Sequence, residues 1–230
     1  MSEFIFDKTK GKYFLDGTEL VRVTTVLNIV SKPALYFWYG KHGTEKCKEI
    51  LTKAATIGTG VHNILERLGN YLLGKDEPVK YFASPLQETS HAYLADWFKE
   101  NNAKILSTEH RIYHTKYHFA GTCDGVVEID GKLVMIDYKT SAYCYDTYAL
   151  QLAAYKNAYE DMNPGQKIDR CLILRFEKDA EKNNKFEVFE VNDLDKQWTA
   201  FKHALQLFRW EKSRGKFSKL KSPSETAKEK

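Results

Sequence analysis

The feature that most constrains what this chain can fold into is a hairpin signal near its middle. Two strand-like runs, 123–129 and 132–140, flank the dipeptide Asp130-Gly131. An Asp-Gly pair between alternating apolar runs is typical of a two-residue loop that joins antiparallel strands. The loop therefore predicts the register of the two strands, unless a bulge in either strand shifts it.

In this register two acidic residues face each other. Asp124 and Asp137 become cross-strand neighbours, with Cβ atoms roughly 4.5–5.5 Å apart. Lys139 shares a face with Asp137 because it lies two residues further along the strand. Opposed like charges are destabilising, so the pattern favours a cation, and carboxylates suit Mg²⁺ or Mn²⁺. The alternative is an ordinary solvated hairpin face that carries aspartate and lysine.

Composition indicates one globular domain and excludes few functions. The 230 residues are 43% hydrophobic and 29% charged, and the net charge is +4, which is compatible with nucleic-acid binding without requiring it. No apolar run approaches the ~20 residues that a membrane helix needs. The first ten residues, MSEFIFDKTK, lack the apolar centre of a signal peptide. We therefore expect no membrane association and a cytoplasmic location.

The spacing of the cysteines gives no indication of a metal cluster. Cys47, Cys123, Cys144 and Cys171 are widely spaced and form no C-x-x-C pair. This spacing argues against structural zinc and iron–sulfur clusters, and it is typical of a reducing compartment.

A helix with a candidate histidine precedes the hairpin. The apolar spacing of residues 43–73 predicts a helix that is interrupted at 58–60 (Gly-Thr-Gly) and ends at Gly74. His62 and Glu66 share one helical face. A histidine among apolar neighbours is more often structural than a ligand, although the glycines before it would admit a close neighbour.

Aromatic residues cluster upstream of this helix. The run at 36–39 (Tyr-Phe-Trp-Tyr) follows Pro33 and is interleaved with Lys32, Lys41 and His42. Core packing is the favoured interpretation. Stacking on unpaired bases is the alternative.

The regions around the hairpin predict a mixed sheet. Residues 104–114 have the pattern of its first strand, with Leu106 and Ile112 on one face. Glu109 would lie on the other face, where it either forms an ion pair with Arg111 or a nearby lysine, or supports a metal. After the hairpin, an alanine-rich helical segment at 146–159 leads to an apolar strand, 170–176, which indicates a crossover connection. A further strand and a long amphipathic helix follow.

Four motifs in order, GTGVH, GTCDGVV, IDYKTS and QLAAY, resemble the PD-(D/E)XK nucleases. The likeness is to their RecB-type branch, which includes phage exonucleases and the mitochondrial genome maintenance exonuclease. It covers roughly residues 55–178. The lead-in at 23–39, with VT-x-x-L and P-x-L-x-x-W, is similar to phage and mitochondrial members.

This resemblance implies a restriction-endonuclease-like α/β fold, with a central mixed β-sheet flanked by α-helices and an N-terminal helical part. We expect a single nuclease domain over 1–216. Within it, 1–100 would hold the N-terminal hairpin and helices, and 101–216 the catalytic core. A disordered polar tail would follow at 217–230.

The resemblance also implies roles for individual residues. The implied catalytic residues are Asp124, Asp137 and Lys139. The implied metal ligands are His62, Asp124, Asp137 and the Tyr138 carbonyl. The implied substrate-binding residues are Thr140, Gln151 and Tyr155. Glu109 matches a supporting acid more loosely, and the proline that gives the superfamily its first letter is replaced by Gly-Thr-Cys.

The implied function is a DNA exonuclease that requires one or two Mg²⁺ or Mn²⁺ ions and no iron–sulfur cluster. It would act on DNA ends or single strands in recombination, repair or phage DNA processing, in a bacterial or phage-infected host cell. A homo-oligomer or a recombination partner protein is compatible with this function. The alternatives are a catalytically silent nucleic-acid-binding module of the same fold and a structure-specific endonuclease. Polarity, strand preference and the choice of DNA or RNA stay open.

Overall fold

The computed structural model of the chain describes residues 3–177 and 185–213. A mixed β-sheet lies at its centre. The strands are β1 (Phe4–Asp7), β2 (Lys12–Leu15), β3 (Thr18–Arg22), β4 (Lys104–His114), β5 (Phe119–Ile129), β6 (Lys132–Lys139), β7 (Arg170–Phe176) and β8 (Phe186–Glu190). The α-helices are α1 (Val23–Val26), α2 (Pro33–His42), α3 (Thr44–Leu72), α4 (Pro85–Glu100), α5 (Asp146–Met162) and α6 (Leu194–Ser213).

The sheet has the order β1-β2-β3-β5-β6-β7-β8, and β4 pairs with β5. Helix α5 connects β6 to β7, which run parallel, whereas β7 and β8 run antiparallel. The predicted mixed sheet with flanking helices is therefore confirmed. Strands β1 to β3, where the sequence predicts an N-terminal hairpin, join this sheet through β3.

The predicted register of the hairpin is confirmed next to its loop, but the ladder ends before it reaches the predicted pair of Asp124 and Asp137. Asp130 and Gly131 join β5 to β6 with φ values of +51° and +74°, and a tight type I′ loop requires positive φ at both positions. Ile129 pairs with Lys132, and the ladder continues to Gly125 opposite Ile136.

Strand β5 has a fork in its pairing that positions the site. At its start, Phe119 and Ala120 pair in parallel with β3, and from Gly125 onward it pairs with β6. In the described structure no strand pairs with this side of residues 121–124. Asp124 therefore lies in a gap between two neighbouring strands.

Helical layers cover the two faces of the sheet. One core contains residues of α1, α5 and α6, including Val26, Tyr155 and Phe201. The other contains residues of α3 and α4, including Leu65 and Trp97. In the described part of the chain no helix is long and apolar enough to span a membrane.

Helix α3 corrects one prediction from the sequence. It runs without interruption through residues 58–60, where the glycines predict a break. Gly58 and Gly60 make room for neighbours instead: a Cβ on Gly60 would lie 2.7 Å from Gln87 Nε2, and one on Gly58 would lie 3.2 Å from Thr140 Oγ1. The close approach of these polar side chains requires small residues inside the helix.

Two predictions about apolar residues are wrong. Tyr36 and Phe37 on α2 are 68% and 79% exposed, so they do not form core. Leu106 does not share the buried position of Ile112, because the β4–β5 register shifts between Ile105 and Ser107 and leaves Leu106 37% exposed. A bulge inserts an extra residue that the alternation of side chains does not reveal. The tail predicted at 217–230 lies outside the described residues.

The contact between α3 and β4 leads to a stability prediction. A Cβ on Gly69 would lie 2.4 Å from Thr108 Cγ2, whereas Gly40 on α2 has open space around it. We expect Gly69→Ala to lower the free energy of unfolding by about 1–3 kcal/mol through overpacking. Gly40→Ala should raise it by up to about 1 kcal/mol through helix propensity. Urea denaturation measures both values.

Thr108→Ser provides the matched rescue. It removes the clashing methyl group but keeps the hydroxyl that donates to Asn70 Oδ1 at 2.7 Å. Gly69→Ala combined with Thr108→Ser should therefore be more stable than the sum of the two single changes. Strict additivity would contradict the contact.

Candidate active site

Asp124 lies in the β5 fork and is 9% exposed. Its Oδ2 accepts a hydrogen bond of 2.5 Å from the Tyr138 N–H, and its Oδ1 lies 3.4 Å from His62 Nδ1. Burial alone would raise the pKa of Asp124, but His62, Lys139 and the Tyr138 N–H hold that pKa below its ordinary value. The carboxylate is therefore kept charged inside the protein.

His62 reaches this carboxylate from α3. Its ring also makes an edge-on contact with Tyr138, with centroids 5.9 Å apart. Burial acts to lower the pKa of His62, but the nearby Asp124 outweighs it and raises the pKa above the ordinary value. His62, for which the local sequence favours a structural role and the resemblance implies a metal ligand, is thus in contact with the predicted acid.

Asp137 lies on β6, 2% exposed, and faces α5. Its Oδ1 accepts a hydrogen bond of 3.2 Å from Gln151 Nε2, and its Oδ2 forms an ion pair with Lys139. Burial, reinforced by the charge of Asp124, raises the pKa of Asp137 above its ordinary value. The Gln151 amide also donates to the Tyr155 hydroxyl at 3.2 Å. Gln151 and Tyr155 therefore fix the position of this carboxylate from the helix.

Lys139 ends β6 with its ammonium group inside the site. Besides the ion pair with Asp137, its Nζ lies 4.7 Å from the centre of the Tyr148 ring. Burial lowers the pKa of Lys139, but Asp137 and Asp124 more than compensate and raise it. Thr140, the next residue, is buried against Gly58 of α3. The end of β6 is therefore held between α3 and α5.

A candidate metal centre forms on the α3 side of the site. His62, Glu109 and Asp124 each offer one ligand atom, and these atoms lie within 4.8 Å of one another. Glu109 is exposed as a residue, but partial desolvation of its carboxyl group, followed by the charges of Asp124 and Glu66, raises the pKa of Glu109 to about 7. The two carboxylates are donors that suit Mg²⁺ or Mn²⁺, the imidazole adds a nitrogen donor, and a cation would offset the repulsion between the two acids. The residues present therefore fit a divalent metal.

The described structure argues against an ion pair for Glu109. Within the described residues it makes no ion pair with Arg111, whose guanidinium lies 5.0 Å from the centre of the Phe6 ring. Its backbone φ of +43° is unusual for glutamate, and Thr108 and His110 on either side keep their pairs with β5. A positive φ in a non-glycine residue costs free energy and often marks a functional position.

Apart from Thr140, which packs against Gly58, the predicted site residues come together at this fork, but in two groups. His62, Glu109 and Asp124 form the candidate metal centre. Asp137, Lys139, Gln151 and Tyr155 form a second cluster beside it. Tyr138 lies between the two groups and donates its N–H to Asp124; a ligand role for its carbonyl stays a prediction.

The sequence motifs do not reveal two residues of the site, Tyr148 and Arg175. Tyr148, which covers the Lys139 ammonium, precedes Gln151 by three positions, so helical spacing was the available signal. Arg175 lies opposite Lys139 in the β6–β7 ladder. It is hidden in the run RCLILRF, whose apolar character indicates only a buried strand.

Comparison with known proteins identifies the class. The family model of the PD-(D/E)XK nuclease superfamily matches residues 31–223, and the chain belongs to this superfamily. The predicted superfamily is therefore confirmed. Members of this superfamily are nucleases, which act on nucleic acid and use divalent metals. No curated protein matches the chain.

Several solved structures are similar in part. A candidate exonuclease from Eubacterium rectale is 13% identical, with 71% of this chain and 76% of that chain covered and a TM-score of 0.44. The alkaline exonuclease LHK-Exo of Laribacter hongkongensis, solved in complex with dAMP, is 14% identical, with 85% and 93% covered and a TM-score of 0.38. SSO0001 is 18% identical with a TM-score of 0.33, and the match covers 54% of this chain and 59% of SSO0001.

Proposed function

We propose that this nuclease is a Mg²⁺- or Mn²⁺-dependent DNA exonuclease that acts on DNA ends or single strands. The observation that carries the proposal is the burial of Asp124 and Asp137 beside Lys139, with His62 and Glu109 at hand. Burial of two neighbouring acids is costly unless their charges are used or compensated. The biological role that we propose is DNA processing in recombination, repair or phage replication.

Each group of residues has its own task in the proposed mechanism. His62, Glu109 and Asp124 would hold the ion, with Asp137 beside them. When bound, the ion would supply Lewis acidity and offset the negative charge that develops on the phosphate. Gln151 and Tyr155 act as positioning residues, because they hold Asp137 through hydrogen bonds.

Lys139 contributes a fixed positive charge. The ion pair with Asp137 and the Tyr148 ring restrict its ammonium group before substrate arrives. It can therefore donate hydrogen bonds to a phosphate oxygen and orient the attacking water. Preorganised donors of this kind stabilise the transition state without reorganisation during the reaction.

A matched pair of substrates tests the exonuclease proposal. We expect the protein to degrade a linear single-stranded DNA in Mg²⁺ or Mn²⁺ and to leave a covalently closed circle of the same sequence intact. Denaturing gels with either the 5′ or the 3′ end labelled report the polarity. The Asp137→Asn variant is the negative control, because the amide keeps the shape but loses the charge.

Two outcomes would contradict the proposal. Cleavage of the closed circle would identify an endonuclease. Binding of both DNAs without cleavage would leave a catalytically silent binding module. A matched RNA pair determines whether DNA is the preferred substrate.

A further inference from the structure

Three tyrosines form a continuous line from the active-site lysine to solvent. Tyr148 covers Lys139, with Nζ 4.7 Å from the ring centre. The Tyr145 ring lies 5.6 Å from that of Tyr148, and the Tyr143 ring lies 6.4 Å from that of Tyr145. Tyr145 is 50% exposed and Tyr143 is 70% exposed. We call these three residues the tyrosine ladder.

Hydrogen bonds hold the backbone of the loop at 141–145, which carries Tyr143 and Tyr145. Arg175, 6% exposed, donates hydrogen bonds to the carbonyls of Ser141 at 3.1 Å and Ala142 at 2.8 Å. Ser141 Oγ donates to the Tyr143 carbonyl at 2.7 Å and accepts from the Tyr148 hydroxyl at 3.1 Å. The backbone that carries the two exposed rings is therefore fixed by hydrogen bonds. This reduces the conformational entropy that would be lost when a ligand binds.

Exposure of two large rings beside a phosphate-processing centre requires an explanation. Aromatic side chains next to a backbone-binding groove commonly stack on unpaired bases, and every base has a face for such stacking. The ladder begins at the ammonium group that would contact the scissile phosphate. Bases attached to that phosphate and its neighbours would therefore extend over the same rings.

We propose that the tyrosine ladder is a base-stacking subsite, in which Tyr143 and Tyr145 bind unpaired bases next to the phosphate held at Lys139. This inference rests on the proposed function, because it takes a nucleic-acid strand as the occupant. It deepens that function by assigning a preference for unpaired strands with little preference for sequence, as stacking on aromatic rings is sequence-tolerant.

Binding without hydrolysis tests the subsite. In EDTA, fluorescence anisotropy with a labelled single-stranded oligonucleotide should show weaker binding by Tyr143→Ala and Tyr145→Ala. The expected loss is about 5- to 150-fold, the range that base–aromatic stacking covers. Tyr143→Phe keeps the ring and should keep the affinity. Unchanged affinity in both alanine variants would overturn the proposal and assign the rings to another partner.

Tyr71 supplies a matched control. It is 45% exposed on α3, nine residues beyond His62 on the same helix, which is roughly 13 Å along the helix axis. Tyr71→Ala should bind the oligonucleotide as the wild-type protein does. An equal loss in Tyr71→Ala would mean that exposed tyrosines act non-specifically, which would also overturn the proposal.

Abasic substitution identifies the bases that stack. One abasic site is moved along the oligonucleotide, and at one or two positions it should weaken wild-type binding as much as Tyr143→Ala does. At those positions it should add little to the loss in Tyr143→Ala, because the stacking is already absent. Equal abasic losses in wild type and variant at every position would overturn the proposal.

Cys144 offers an independent readout. It is exposed between the two outer tyrosines, whereas Cys47, Cys123 and Cys171 are buried. Bound oligonucleotide should slow the alkylation of Cys144, and unchanged alkylation at saturating oligonucleotide would contradict a strand on this loop. None of these measurements requires cleavage. If the wild-type protein binds the oligonucleotide through the tyrosine ladder but cleaves no DNA, the exonuclease proposal fails and the stacking subsite stands.

Discussion

Lys139→Met should lower the rate of single-strand cleavage by about 10²–10³-fold, the range found when one preorganised electrostatic donor is removed. Methionine fills most of the space of the lysine stem but carries no ammonium group. The water and the phosphate would therefore lose a hydrogen-bond donor that Asp137 and Tyr148 hold in place. Single-turnover cleavage of end-labelled DNA at saturating Mg²⁺ measures the effect.

The same change should also affect stability, and a double variant separates the two effects. Lys139→Met leaves the buried Asp137 unpaired, and loss of one partner of a buried ion pair costs about 3–5 kcal/mol. Asp137→Asn combined with Lys139→Met removes both charges, so it should recover most of that stability and none of the activity. Recovery of cleavage in the double variant would contradict a direct role for either residue.

Glu109→Gln should raise the Mg²⁺ concentration for half-maximal cleavage by at least about tenfold, as even outer-shell changes at metal sites cost that much in affinity. The reason is geometric, because Glu109 shares a 4.8 Å cluster with His62 and Asp124. The amide keeps one oxygen but loses the negative charge that balances a divalent ion. Titration of activity with Mg²⁺ and with Mn²⁺ measures the shift.

Glu128→Gln is the control for this prediction. Glu128 also lies on the central sheet, but it is opposite Leu133 near the hairpin loop. Its replacement should leave the metal dependence unchanged. A normal metal dependence in Glu109→Gln would exclude Glu109 as a ligand.

Local turn chemistry explains why the hairpin could be predicted. Asp130 and Gly131 adopt the positive φ values that only a few residues accept readily. A two-residue loop then leaves one register for the apolar faces of β5 and β6. The shared face of Asp137 and Lys139 follows from strand geometry alone, and their ion pair agrees with it.

The division of the site into two groups could not be predicted in this way. It depends on the fork at β5, where β3 pairs with Phe119 and Ala120 from about a hundred residues away. Neither turn residues nor alternation of side chains carries that long-range pairing. The sequence consequently predicts only a supporting role for Glu109, whereas the fold brings it next to His62 and Asp124.

The exposed aromatic residues show a second limit of prediction from sequence. Large apolar side chains are mostly buried, so Tyr36 and Phe37 predict core from sequence. Their exposure on α2 depends on what packs beside the helix, and no residue of α2 is buried. No sequence pattern predicts a role for Tyr143 and Tyr145. Their alignment with Lys139 depends on the loop conformation that Arg175 stabilises through hydrogen bonds.

The most direct test is digestion of end-labelled single-stranded DNA by the wild-type protein and by Asp124→Asn, each with Mg²⁺, with Mn²⁺ and with EDTA. Asparagine keeps an oxygen for the Tyr138 N–H, so the fold at the β5 fork should persist. We expect cleavage by the wild-type protein in at least one metal, none in EDTA, and none by the variant in any condition. Cleavage in EDTA, or wild-type activity in Asp124→Asn, would contradict a metal-dependent nuclease centred on this fork.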